Sequence, residues 1–133
     1  MIKKTVNKFS GELYFVFRVL IGLLFMQHGV QKLFGGLGSK GAADIISLMG
    51  AAGIIEFFGG LLIVLGLFTR LVVLISAVEM IVAFVMSHAP RGLIPIMNGG
   101  ELAALYFAAF LVLIAYGNGM WNLEYVLAKK EIF

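Results

Sequence analysis

The chain has 133 residues, 62% of them hydrophobic and only 13% charged, with a mean hydropathy of +1.06 and a formal net charge of +3. A soluble domain holds about 45–50% apolar and about 25% charged residues, so a 133-residue globule could not hide this much apolar surface and a bilayer is the expected solvent. The absence of cysteine excludes disulfides, thiol chemistry, Cys-ligated iron–sulfur clusters and Cys-x-x-Cys-His haem attachment.

The basic stretch before residue 13 is followed by an apolar run interrupted by Arg18 with no Ala-x-Ala site after it, which reads as an uncleaved first helix. That run, Leu13 to Phe34, has about the 20 residues a bilayer-crossing helix needs. Its later half carries Gln27, His28, Gln31 and Lys32. At 100° per residue, Arg18, His28 and Lys32 fall within an arc of roughly 80°. Ionisable groups in hydrocarbon cost about 2.5–3.5 kcal/mol each on insertion scales, so this face must look into protein, water or headgroups.

A glycine-rich connector follows, and Ala42 to Met49 within it predicts two turns of interfacial helix. The second span is expected over 51–68, with Glu56 near its start. Thr69-Arg70 reads as the tight turn into a third span over 71–88, carrying Glu79. A second loop holds Pro90 and Pro95, a fourth span covers 101–116 behind Glu101, and an amphipathic tail closes the chain. The expectation is one all-α membrane domain: an antiparallel bundle of four transmembrane helices with a short interfacial helix in the first loop.

Lys3, Lys4, Lys8, Arg70, Lys129 and Lys130 gather on one side of that topology, against Lys40, Arg91 and the helix-end Lys32 on the other. The positive-inside rule then puts both termini in the cytoplasm. His28 would sit roughly 7 Å beyond the midplane at 1.5 Å per residue, with Glu56 at similar depth, Glu79 near the middle, and Lys32 and Glu101 near the outer ends. Arg18 alone falls on the inner half, where it can snorkel. Small residues stand at helical spacing from each acid: Gly53, Gly59 and Gly60 beside Glu56, Ser76 and Ala83 beside Glu79, Ala104 and Ala108 beside Glu101. Such residues mark faces where helices approach closely. His28, Lys32, Glu56, Glu79 and Glu101, with Gln27 and Arg18, are therefore the candidates for a polar pocket. Each has a structural reading: an interhelical hydrogen bond for His28, a pairing role for the acids, a first-turn carboxylate on the helix dipole for Glu101. The aromatic residues, Tyr106 among them, read as packing and lipid-facing surface.

No phosphate loop or nucleic-acid footprint is present, and two separated histidines make no metal signature. No metal site and no intrinsic cofactor is expected.

Arg18-Val-Leu-x-Gly22, Gln27-His28-Gly29-x-x-Lys32-Leu-Phe-Gly35, Glu56-x-x-Gly59-Gly60, Gly66-Leu-Phe-Thr69-Arg70, Asn98-Gly99-Gly100-Glu101 and Gly117-x-Gly119, in this order and spacing, resemble the DoxX family of small bacterial membrane proteins. Asn122-Leu123-Glu124 stands where that family usually has Ser-Leu-Asp. The resemblance covers about residues 12 to 127. It implies a four-helix protein of the inner membrane, linked through relatives to thiosulfate:quinone oxidoreductase, membrane oxidoreductase complexes and quinone-like stress. It assigns no catalytic residue. An accessory subunit of such a system, engaging a quinone-like molecule or a membrane or periplasmic redox partner, is the leading expectation. A small-solute or proton carrier and a non-catalytic scaffold or stress-response protein remain open beside it, with homo-oligomerisation compatible with each.

Overall fold

The computed structural model describes residues 2–132, and all regular structure among them is helical. Helix α1 spans Ile2–Lys8, α2 Ser10–Phe34, α3 Leu48–Leu65, α4 Thr69–Ala83, α5 Pro95–Asn98, α6 Glu101–Tyr116 and α7 Leu123–Ala128. A π-helical turn, Phe84–His88, and a 3-10 turn, Ala89–Arg91, continue α4 without a break. By length and composition three helices can cross a membrane: Ser10–Phe34, Leu48–Leu65 and Thr69–Arg91; α6 is apolar but shorter.

Local chemistry sets the ends. Gly35 takes the left-handed conformation (φ 68°) and its N–H caps the Gln31 carbonyl at 3.2 Å, which stops α2. The interfacial helix expected over 42–49 does not form. Asp44 Oδ1 accepts the Ile46 N–H at 3.0 Å, an Asx turn that competes with a helical path. The Ser47 hydroxyl then accepts the Gly50 N–H at 3.1 Å as the N-cap of α3. So α3 begins at Leu48 rather than Ala51, and it ends at Leu65 because Gly66 (φ 66°) caps it. The tight link to α4 is therefore Gly66 to Phe68, with Thr69 and Arg70 inside the next helix.

Helices α2 and α3 pack along their length, as do α4 and α6, and α3 joins the two pairs through α4. Rising positions on α2 meet falling positions on α3. A Cβ on Gly22 would lie 2.8 Å from the Gly60 carbonyl oxygen, and one on Gly29 would lie 2.3 Å from Phe57 N. These are backbone-to-backbone approaches that only hydrogen side chains permit, the means by which helices associate without a hydrophobic driving force. Phe25, Ile63, Val73, Phe110 and Leu113 fill the space between α2, α3, α4 and α6 and are fully buried. Leu20, Leu24, Phe58, Leu74, Ile75 and Leu105 stay exposed, an apolar outer surface that suits lipid.

Gly29→Val places branched carbon against the Phe57 backbone, which cannot yield as a side-chain tip can. It should destabilise the detergent-purified protein by about 1–3 kcal/mol or more, read as a lowered thermal midpoint. An unchanged midpoint would show that the α2–α3 contact is looser than described.

Candidate functional site

The closeness of α2 to α3 brings charge together. Gly53 lies so near α2 that a Cβ there would meet the Lys32 Cβ at 2.9 Å. One turn further along α3, Glu56 reaches the Lys32 ammonium, which donates to Glu56 Oε1 in an ion pair. The carboxylate side is 4% exposed and the lysine side 25%, so the pair is sunk into the protein from one edge. A buried pair of this kind costs desolvation on both sides and depends on its geometry being kept.

Glu79 joins them from α4, close enough to Glu56 and Lys32 to interact with both electrostatically. Neither Glu79 oxygen has a hydrogen-bond partner, nor has Glu56 Oε2, and all three atoms are buried. One ammonium thus faces two carboxylates, and three acceptor atoms lack a donor. Tyr106 of α6 completes the wall: it is 6% exposed and lies within electrostatic reach of Glu56. His28 stands edge-on to the Tyr106 ring, centroids 5.9 Å apart and planes at 87°. It has no bond to either acid and touches the cluster through that ring.

The structure thus draws Lys32, Glu56 and Glu79 together, with His28 one ring removed. The other three candidates lie elsewhere. Glu101 is exposed in the first turn of α6, without an ion pair or hydrogen bond among the described residues, and Ala104 and Ala108 are exposed on the same helix. The expected close approach on that face is corrected: α6 turns Ala103, Tyr106, Phe110 and Leu113 inward instead. Gln27 is exposed on α2.

Arg18 does not snorkel; it is fully buried at the opposite end of the bundle. Its guanidinium donates to the Asn118 carbonyl, to Met120 O at 3.2 Å and to Trp121 O at 3.0 Å. Tyr14 donates to Gly117 O at 2.6 Å beside it, Asn118 donates to the Glu124 carboxylate, and the Glu124 N–H donates to Gly66 O at 3.2 Å. Arg18 is therefore an anchor for the turn between α6 and α7. His88 lies over the second loop, its Nδ1 3.2 Å from Asn98 O.

Tyr106 is the site residue that the sequence reading passed over. Its signal was there: between Glu101 and Tyr116 it is the one side chain of α6 with a polar tip. A buried tyrosine normally seeks a partner for its hydroxyl, whereas a lipid-facing one near midspan has none.

An apolar cleft of ≈ 230 Å³ opens between α4 with its π turn and α6, lined by Met80, Phe84, Val85, Ala103 and Phe107 among others. A π turn widens a helix locally and is frequent at functional sites. The cleft shares α4 and α6 with the cluster, but its lining is apolar and includes none of Lys32, Glu56, Glu79, Tyr106 or His28.

These features belong to a helical membrane protein with a charged group of residues buried among its helices. The chain is a member of the DoxX family, whose description matches residues 13–89, from α2 to the start of the second loop. It is 37% identical over 123 residues to an uncharacterised protein of Haemophilus influenzae, covering 85% of this chain and 89% of that one. No solved structure matches it.

Arg18→Gln removes the charge that gathers three carbonyls. It should cost about 1.5–3 kcal/mol, the worth of hydrogen bonds to a charged group, and expose the tail after Tyr116 to protease. Glu101→Gln, at an exposed site, should shift the thermal midpoint by under about 0.5 kcal/mol equivalent. Equal effects from the two would remove the distinction drawn between them.

Proposed function

We propose that this DoxX-family protein is a four-span, antiparallel inner-membrane protein, with both termini cytoplasmic, that serves as an accessory subunit of a quinone-linked oxidoreductase system. Its ligand site is the cluster of Lys32, Glu56 and Glu79, flanked by Tyr106 and His28. The observation that carries this reading is the surplus of acceptors: Glu56 Oε2 and both Glu79 oxygens are buried without a donor. A reduced quinone head presents two hydroxyl donors on a flat ring, and unmet carboxylate oxygens in an apolar setting are suited to accept them. Lys32, His28 and Tyr106 can donate to the carbonyls of the oxidised form. The apolar cleft between α4 and α6 is a candidate surface for the hydrophobic remainder of such a molecule.

The chain has no cysteine for a ligated cluster, so electrons would be supplied by a partner protein in or beside the membrane. What this chain contributes is binding, orientation and proton placement at the ring. The orientation rests on the basic residues collected at the ends of α1, α4 and the tail. On that topology the cluster lies in the outer half of the bilayer.

Two measurements test the proposal. Protein purified gently from native membranes should carry extractable quinone. Glu56→Gln and Glu79→Gln, which keep shape, should weaken binding of a short-chain hydroquinone by about tenfold or more, the equivalent of one hydrogen bond to a charged group. Normal binding by both variants would leave a scaffold or carrier role and end the quinone reading. For topology, a cysteine at Lys40 should react with an impermeant thiol reagent from outside intact cells and one at Lys130 should not. The reverse pattern would move the cluster to the inner half.

A further inference from the structure

The cluster's charge count has a second consequence, independent of which ligand it takes. Glu56 is 3% exposed, its Oε1 bonded to Lys32 and its Oε2 bonded to nothing. Glu79 faces it from α4 with both oxygens buried and unbonded. Two carboxylates that face each other offer acceptors only; no donor stands between them unless one carries a proton. The other groups turned toward this pair are Lys32 from α2, already engaged by Glu56, Tyr106 from α6 and, behind the Tyr106 ring, His28. On α4 itself Ser76 is occupied with the Val72 carbonyl at 3.0 Å. No second cation reaches the carboxylates among the described residues, so with both ionised the apolar interior would hold a net negative charge.

We propose that Glu56 and Glu79 share one exchangeable proton when no ligand is bound, making the cluster a proton-binding site. A proton on a Glu79 oxygen can be donated to the Glu56 carboxylate, whose Oε2 is the acceptor left open, and supplies the donor the pair lacks. The O–H bond forms on one carboxyl oxygen, the proton comes from water reaching the partly exposed Lys32 edge, and no electrons move. The site thus holds a proton at the place where a reduced quinone head would release one. The proposal concerns the site assigned above but rests on its charge balance, and it is tested on the ligand-free protein, so either can fail alone.

Infrared spectroscopy of the protein reconstituted in lipid reads it directly. At pH 7 the wild type should show the carbonyl stretch of one protonated carboxyl group, shifted on exchange into heavy water. Glu79→Gln should abolish it, since the remaining Glu56 is balanced by Lys32; Glu56→Gln should abolish it too, leaving Glu79 with the same cation. Lys32→Met removes the one cation, and the band should grow about twofold as both carboxyls take protons. A wild-type spectrum without the band, a band that survives both glutamine variants (as one from the buried Glu124 would), or a Lys32→Met band of unchanged size would each overturn the proposal. The wild-type measurement stands even if a variant fails to insert.

Discussion

The bundle depends on how closely α2 and α3 approach. Water gives membrane helices no reason to cling together, so backbone contact and polar bonds must do so. Gly22 against Gly60 and Gly29 against Phe57 leave no room for even a methyl group. That contact brings Gly53 onto the stem of Lys32 and places Glu56 where the ammonium ends. An ion pair between helices a side chain's width further apart would be reached only through water. Here the glycine seam and the charge pair enforce each other: the seam sets the distance, and the ion pair ties α2 to α3 where the glycines bring them together.

The two ends of the bundle solve the problem of buried polarity differently. At the Arg18 end a side chain with many donors meets the backbone carbonyls of Asn118, Met120 and Trp121, in the turn that follows α6 and wraps around it. The exposed pair Arg70–Glu131, at 2.9 Å, ties the tail to the start of α4. At the Lys32 end the partners are side chains on separate transmembrane helices, and the balance is incomplete. The first arrangement has the character of a fastening, the second that of a site.

Much of this was legible in the sequence because the bilayer makes the code blunt. A helix of 25 residues with Lys32 near its end cannot hide a charge, and Glu56 on the next helix is an acid of opposite sign on the same outer side. What failed to show were choices made by single side chains. Ala42 to Met49 has the composition of a short helix, yet Asp44 and Ser47 spend their oxygens on local N–H groups and leave only a turn. Glu101 with Ala104 and Ala108 has the same acid-and-small pattern as Glu56 with its glycines, but the larger Tyr106 and Phe110 decide which face of α6 turns inward. Arg18 shares an arc of α2 with His28 and Lys32 but lies three to four turns away, on the inner half where the sequence puts it; what did not show is that it is buried under the turn after α6. Snorkelling or burial depends on what the rest of the chain brings to that depth, here the turn from Gly117 to Trp121.

Orphaned polar atoms occur at both ends, and their pattern tells the ends apart. Arg18 Nε, Glu124 Oε1 and the Thr69 hydroxyl lack partners; the first two belong to groups whose other atoms are bonded, and the third is a single neutral hydroxyl. Such remainders are ordinary where planar groups meet a fixed backbone. Glu79 is unlike them, because neither of its oxygens is bonded and its neighbour Glu56 adds a third open acceptor. A carboxyl kept in that condition adds nothing to the packing of α4 that a leucine would not improve. Its presence is understandable if something that brings a donor, whether a proton or a hydroxyl, belongs in the gap between α3 and α4.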